Sequence, residues 1–300
     1  MKQSFFSLLI VFLLCSVSSL GQRYLNVRVD NDLYFGLDRY YSSGIFISMG
    51  ELMNNDEQNE AYPKKYKHWI LGQEIYTPKN RYTNDVFSFD YPYGGWLFLE
   101  RSYETYNTAF SAWEASLKFG VTGKASLAPY FQNLYHDKVL GLPKVSWEQA
   151  LPQRLHLNLN VIHKKRLQMV SRLGLLYEFF GNLGTQRIAA GVRLGFLLGN
   201  SKTLTFLGNP LDMQTRGYGI YVGTRQEYRF HDYMISGGLF DDEAPFVLKS
   251  IPYKNSLEWG FALYGKKWRL LTLWNSISKD NDLQANTRHP YLSISITRFY

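Results

Sequence analysis

The sequence predicts an all-β fold, a transmembrane antiparallel β-barrel of about twelve strands with a short helix in an extracellular-side connection. Its closing stretch alternates: Leu292, Ile294, Ile296 and Tyr300 fall on one face, and Ser293, Ser295 and Thr297 on the other. A period of two is the signature of a strand with two different faces. An ending on Phe299-Tyr300 looks like the last strand of an outer-membrane barrel. Aromatic content is high at 17%, with Tyr exceeding Phe and seven Trp, and such rings collect at membrane–water boundaries. Mean hydropathy is only −0.26, as it is when lipid-facing and lumen-facing residues alternate and average out.

The third observation is at the other end. Residues 1–21 read as a secretory leader: Lys2 is the charged start, Phe5 to Leu14 the apolar run, and Ser19-Leu20-Gly21 the cleavage site. The run is too short to anchor a bilayer, and Leu14 before Cys15 argues against a lipoprotein. Residues 22–300 then form one barrel domain without cysteine, which removes disulfides, thiolate metal sites and cysteine nucleophiles. Losing Lys2 takes the formal charge from +8 to +7. An exported basic chain does not point to nucleic acid, and no protein partner is implied. It matches phosphate-bearing surfaces such as lipopolysaccharide, and the bacterial outer membrane as location.

Alternation and turn residues place strands near 24–31, 41–52, 66–77, 92–103, 109–121, 154–164, 168–179, 186–198, 217–230, 254–264, 267–277 and 289–300. An even count leaves both termini periplasmic and turns 32–40, 78–91, 122–153 and 231–253 outward. Asn54 to Lys65 reads as a long inner turn. One connection breaks the β pattern. Between Lys124 and Asp137 the spacing is helical, with Pro129 in the first turn, and Gln132 and His136 four apart on one face.

The first outward loop, Asn31 to Gly44, gathers Asn31, Asp32, Asp38, Arg39, Ser42 and Ser43. Asn31, Asp32 and Asp38 are hard oxygen donors of the type that hold calcium, while a polar hairpin loop would look the same. Asp38 and Arg39 read first as a structural ion pair. His136 differs from the other five histidines in lying on an outward helix with a polar partner, near Asn31-Asp32 across the barrel mouth.

Five pieces in register resemble the outer-membrane lipid A 3'-O-deacylases, covering most of the chain to about residue 200. They are Asn31-Asp32 with Asp38-Arg39-Tyr40-Tyr41-Ser42-Ser43-Gly44; Tyr76-Thr77-Pro78; Pro92-Tyr93-Gly94-Gly95-Trp96; Gln132 and His136 with Trp147-Glu148-Gln149; and Gly181-Asn182 before Thr185. The resemblance implies a twelve-stranded barrel with a calcium-dependent esterase site near its outer rim, acting on lipid A of lipopolysaccharide in the outer leaflet. It further implies Asp32 as the Ca2+ ligand with Asn31 beside it, His136 as the base that activates water, and Gln132 as its polar neighbour. Ser42 aligns with a hydroxyl position of the family. A lysine that some members carry on the third strand is replaced here by Gln73-Glu74.

Two other readings compete. A serine esterase would use Ser42 or Ser43 with His136 as base. A non-enzymatic barrel, pore or structural, has no use for the 122–153 insertion. Lys124, Lys138 and Lys144 lie on that insertion and suit lipid phosphates or plain solvent. Gly95 reads as a place of close backbone approach, Trp96 as an interface residue, and Trp147 and Gln149 as either helix supports or groove lining.

Overall fold

The computed structural model describes residues 23–53, 62–200, 204, 206–212, 217–240 and 244–300. The expected leader and most of the expected inner turn lie outside the described residues. Twelve antiparallel strands close into a barrel: β1 (Arg23–Asn31), β2 (Tyr40–Leu52), β3 (Lys64–Thr77), β4 (Gly94–Thr108), β5 (Ser111–Thr122), β6 (Leu155–Val170), β7 (Leu173–Gly184), β8 (Arg187–Gly199), β9 (Gly217–Asp232), β10 (Tyr253–Tyr264), β11 (Trp268–Ser278) and β12 (Arg288–Phe299). Each strand pairs with its sequence neighbours, and β1 closes on β12 with Val27 opposite Ile296. No strand edge is left open, which is what a membrane demands of β structure.

The two faces are inverted relative to a water-soluble barrel. On β5, Trp113, Leu117 and Phe119 are about half exposed outward, while Ala112 and Ser116 are buried inward. Moving a Leu or Phe side chain from water into hydrocarbon gains about 1.5–3 kcal/mol, so this wall is at home in lipid. The lumen is polar and filled with ion pairs. Lys164 Nζ lies 2.9 Å from Glu104 and 2.5 Å from Glu114; Arg193 Nε is 3.0 Å from Glu258 and Arg229 Nε 2.7 Å from Glu227. A cavity of about 300 Å³ remains among Arg28, Glu74, Arg193, Glu227, Arg229 and Glu258. Below it, Leu204, Leu207 and Leu211 from the β8–β9 connection pack against Tyr24, Tyr66, Tyr106 and Tyr221. Asn209 is tied to Glu104 through its side-chain amide and to the Tyr106 hydroxyl through its backbone N–H, 3.0 Å. The opposite end is roofed by Tyr40, Tyr91, Leu151, Tyr233, Met234 and Ile235. Long connections gather at that roofed end, which marks it as extracellular.

Three expectations shift. The turn after β6 is Ser171-Arg172, not 165–167, because the ladder with β7 runs on through Lys165, Arg166 and Leu167 and Arg166 is buried inward. Strand β4 starts at Gly94, since Pro92 has no N–H for a ladder. Trp96 is not at the membrane interface; it is 4% exposed inside the lumen, with its ring 4.4 Å from Phe98.

Candidate active site

Alternation along β3 and β4 decides on which side of the wall the site lies. Glu74 and Tyr76 line the lumen, so Gln73, Ile75 and Thr77 point outward. Trp96 points inward, so Gly95 points outward, and a side chain there would collide with Ala128 and Ser126. Glycine therefore lets the β5–β6 connection lie directly on the outer surface of the barrel. The Gln73 amide donates to the Ser126 carbonyl at 2.6 Å and fixes the 3-10 turn Gly123–Ser126. Helix α1 (Ala128–Tyr135) follows, with Pro129 in its first turn, and runs into a π-helical turn His136–Leu140 ended by Gly141 in the left-handed region. Ala128, Gln132 and His136, spaced by four, form the buried face. The site is thus on the outer wall near its extracellular end, not across the mouth.

Asp38 is the hub. Its Oδ2 forms ion pairs with His136, 2.8 Å to Nε2, and with Arg81, 3.0 Å to Nε. Its Oδ1 accepts from the Ser42 hydroxyl at 2.8 Å and from the Gln132 amide at 3.4 Å. Burial pushes the Asp38 carboxyl up, but the His136 hydrogen bond, Arg81 and Ser42 outweigh it and hold it below the ordinary carboxylate range. Ser42 reaches Asp38 because the β2–β3 ladder shifts register between Tyr41 and Ser43. Tyr41 can then face the lumen while Ser42 serves the wall. Gln132 is held from behind, as its Oε1 accepts from the Trp147 indole at 2.8 Å. His136 Nδ1 is 3.2 Å from the Pro143 carbonyl.

Asp32 lies beside this cluster and is 1% exposed. Its Oδ2 accepts from the Arg39 backbone N–H at 3.0 Å and lies 3.6 Å from His289 Nε2. Its Oδ1 has no hydrogen-bond partner among the described residues. Burial pushes the carboxyl up to about 8; the Arg39 N–H opposes this and the Asp38 charge adds to it. A buried carboxylate with an unused oxygen and a raised pKa is the environment a cation would correct, so the residues fit a calcium ion on that point. Among the described residues no three His, Cys, Asp or Glu side chains converge on a metal position. A complete shell would therefore draw on backbone, amide or hydroxyl oxygens.

The structure brings together Asp32, Ser42, Gln132 and His136 at one end of the wall. Asn31 is adjacent, but its side chain accepts from the Leu33 N–H at 2.6 Å and shapes the turn. Ser43 sits in the ladder opposite Asn31 and Ile75. Asp38 pairs with His136 and Arg81 instead of with Arg39, which overturns the expected local ion pair. Trp147 holds the helix: it bonds Gln132 and its ring lies 5.3 Å from Tyr93. Arg81 and His289 carried no sequence signal. Arg81 lies in an irregular loop and is placed by Tyr93, whose hydroxyl donates to its carbonyl at 2.5 Å.

A family model described as outer membrane protein LpxR matches residues 5–300. Among solved structures, the chain is similar to LpxR from Salmonella typhimurium, with a TM-score of 0.76, 16% identity, and coverage of 92% of this chain and 100% of that one. The β domain of the Bordetella autotransporter BrkA gives a TM-score of 0.47 at 10% identity, covering 93% and 98% of the two chains. The translocator domain of NalP from Neisseria meningitidis gives 0.43 at 10% identity, covering 100% and 94%. No curated protein matches the sequence. On the match across nearly its whole length, the chain belongs to the LpxR outer-membrane protein family and is an outer-membrane β-barrel.

Proposed function

We propose that this protein is a calcium-dependent lipid A deacylase that hydrolyses the ester of the 3'-linked acyloxyacyl group, with His136 activating water. The observation that carries the proposal is the convergence of His136, Arg81, Ser42 and Gln132 on the Asp38 carboxylate, on the lipid side of the barrel wall. An ester within the outer leaflet meets this site from the side, without entering the barrel.

His136 Nε2 is committed to Asp38 at 2.8 Å, so Nδ1, which lies 3.2 Å from the Pro143 carbonyl, is the nitrogen left to take the proton of the attacking water. Asp38 holds the ring and balances the charge it gains, the usual task of a carboxylate behind a catalytic histidine. Gln132 and Ser42 fix the second carboxylate oxygen, and Trp147 fixes Gln132 in turn. Asp32, with its free Oδ1, is the side chain that would hold calcium. Bound there, the ion supplies Lewis-acid charge for the ester carbonyl and its oxyanion. Water is favoured over serine as the nucleophile because Ser42 donates to Asp38, and His136 also bonds Asp38 and not Ser42. A pore is disfavoured by the leucine cluster packed into the periplasmic end of the lumen.

The test is mass spectrometry of lipid A from cells carrying no copy, the wild type, or His136→Ala. The proposal expects loss of one acyloxyacyl group with the wild type alone. Lipid A of identical mass in all three, with the barrel folded in the outer membrane, would exclude it.

A further inference from the structure

A helix on a water-facing surface buries its apolar side and shows its polar side. The helical segment of the β5–β6 connection does the reverse. Its inner face is Gln132 and His136, both buried, and its outer face is Tyr130, Phe131, Leu134, Tyr135, Val139 and Leu142, between 36% and 62% exposed. The inversion follows from the site beneath: Gln132 and His136 must reach Asp38, and the apolar residues are left facing away.

That face continues the lipid-facing wall. The segment rests on the outward side of β4 at Gly95. The outward residues of the following strand are apolar to its extracellular tip, with Leu155 68%, Leu157 51% and Leu159 47% exposed. The exposed Phe230 and Tyr253 mark the same level on β9 and β10 as an aromatic boundary. Lys124 and Lys144 flank the segment, and within it Lys138 pairs with Asp137 at 2.8 Å; all are exposed, so they stand at the headgroup level while the apolar side chains point into lipid.

We propose that the exposed face of Tyr130–Leu142 is embedded among the acyl chains of the outer leaflet, so that the β5–β6 connection is a monotopic membrane element fastened to the side of the barrel. The occupant is lipid hydrocarbon. This follows from the family's membrane location and from continuity with the barrel wall, and it is independent of the ester chemistry.

Site-specific quenching in vesicles tests it. The only cysteine of the sequence is Cys15, so Tyr130→Cys and Val139→Cys, each combined with Cys15→Ser, give single labelling sites. Leu159→Cys on the wall and Glu148→Cys on the outer loop serve as references. Each variant is labelled with a polarity-sensitive fluorophore, reconstituted in phosphatidylcholine vesicles, and checked for the heat-modifiable migration of a folded barrel. Lipid with a doxyl group on its acyl chain should quench Tyr130→Cys and Val139→Cys at least about threefold more than Glu148→Cys, as expected for a face buried about 5–10 Å below the headgroup boundary. A soluble nickel chelate should quench them correspondingly less. The proposal is overturned if nickel reaches both positions as readily as Glu148→Cys. It is equally overturned if neither quencher reaches them, which would mean that protein, such as a second copy, covers the face. Should one variant fail to fold, Phe131→Cys provides the same reading.

Discussion

Charged groups are buried in two places in this molecule, and the two are built differently. In the lumen, Lys164 faces Glu104 and Glu114, Arg193 faces Glu258, and Lys254 faces Asp280 at 2.6 Å. At the extracellular end of the wall, Asp38 collects two hydrogen-bond donors and two ion-pair partners, while Asp32 keeps an oxygen without a hydrogen-bond partner among the described residues. Opposite charges set against one another in the lumen make a scaffold of ion pairs. The wall site is unbalanced, and an unbalanced buried carboxylate is where an ion or a reacting group has something to gain. Burial of charge alone does not mark function; the unfilled valence of the arrangement does.

Substitutions at the two places should separate accordingly. The largest effect is expected from His136→Ala, which removes the proposed base and should lower the proposed deacylation by about 10⁴-fold, the upper end for such a group, with the barrel still heat-modifiable. Turnover within tenfold of wild type would move the base elsewhere. Asp38→Asn keeps the shape but cannot balance a protonated His136, and a drop of about 10²-fold in kcat with little change in KM is expected. A change in KM alone would instead assign Asp38 to substrate binding.

The proposed calcium dependence is the next effect in size. Asp32 is raised to about 8, so below that pH the ion must displace a proton and above it need not. Apparent calcium affinity should therefore weaken by about tenfold for each pH unit below this value and level off above it. Titration of activity against free calcium at several pH values measures this. Asp32→Asn should abolish the pH term along with most of the affinity, and activity that persists in chelator would remove calcium from the scheme. The smallest effect on turnover is expected deep in the lumen. Glu104→Gln leaves Lys164 short of a partner and should cost about 3 kcal/mol of stability, read as a lower heat-modification midpoint, with deacylation unchanged. If activity fell as steeply as stability, the lumen would not be a separate scaffold.

The barrel was legible because its wall is a long alternating pattern repeated twelve times, and each repeat corrects its neighbours. The errors fell where lumen chemistry imitates something else. Arg166 looks like a turn residue but is buried within β6. Trp96 looks like an interface anchor but packs on Phe98 within the barrel. In the site, the Gln132–His136 spacing announced a shared face, and both side chains meet at Asp38. Asp38 itself was hidden by Arg39, the adjacent cation in sequence, whereas Arg81 and His136 are its partners in space. Pairing across 43 and 98 residues leaves no local pattern to read.

The leucine cluster at the periplasmic end has a consequence for the cell that carries this protein. An outer membrane is a sieve, and its value as a barrier to detergents and antibiotics depends on every barrel in it. With Leu204, Leu207 and Leu211 wedged among Tyr24, Tyr66, Tyr106 and Tyr221, the described residues fill the periplasmic end of this lumen with apolar side chains. A plug of this kind is what allows a membrane to carry many copies of a barrel without becoming leakier.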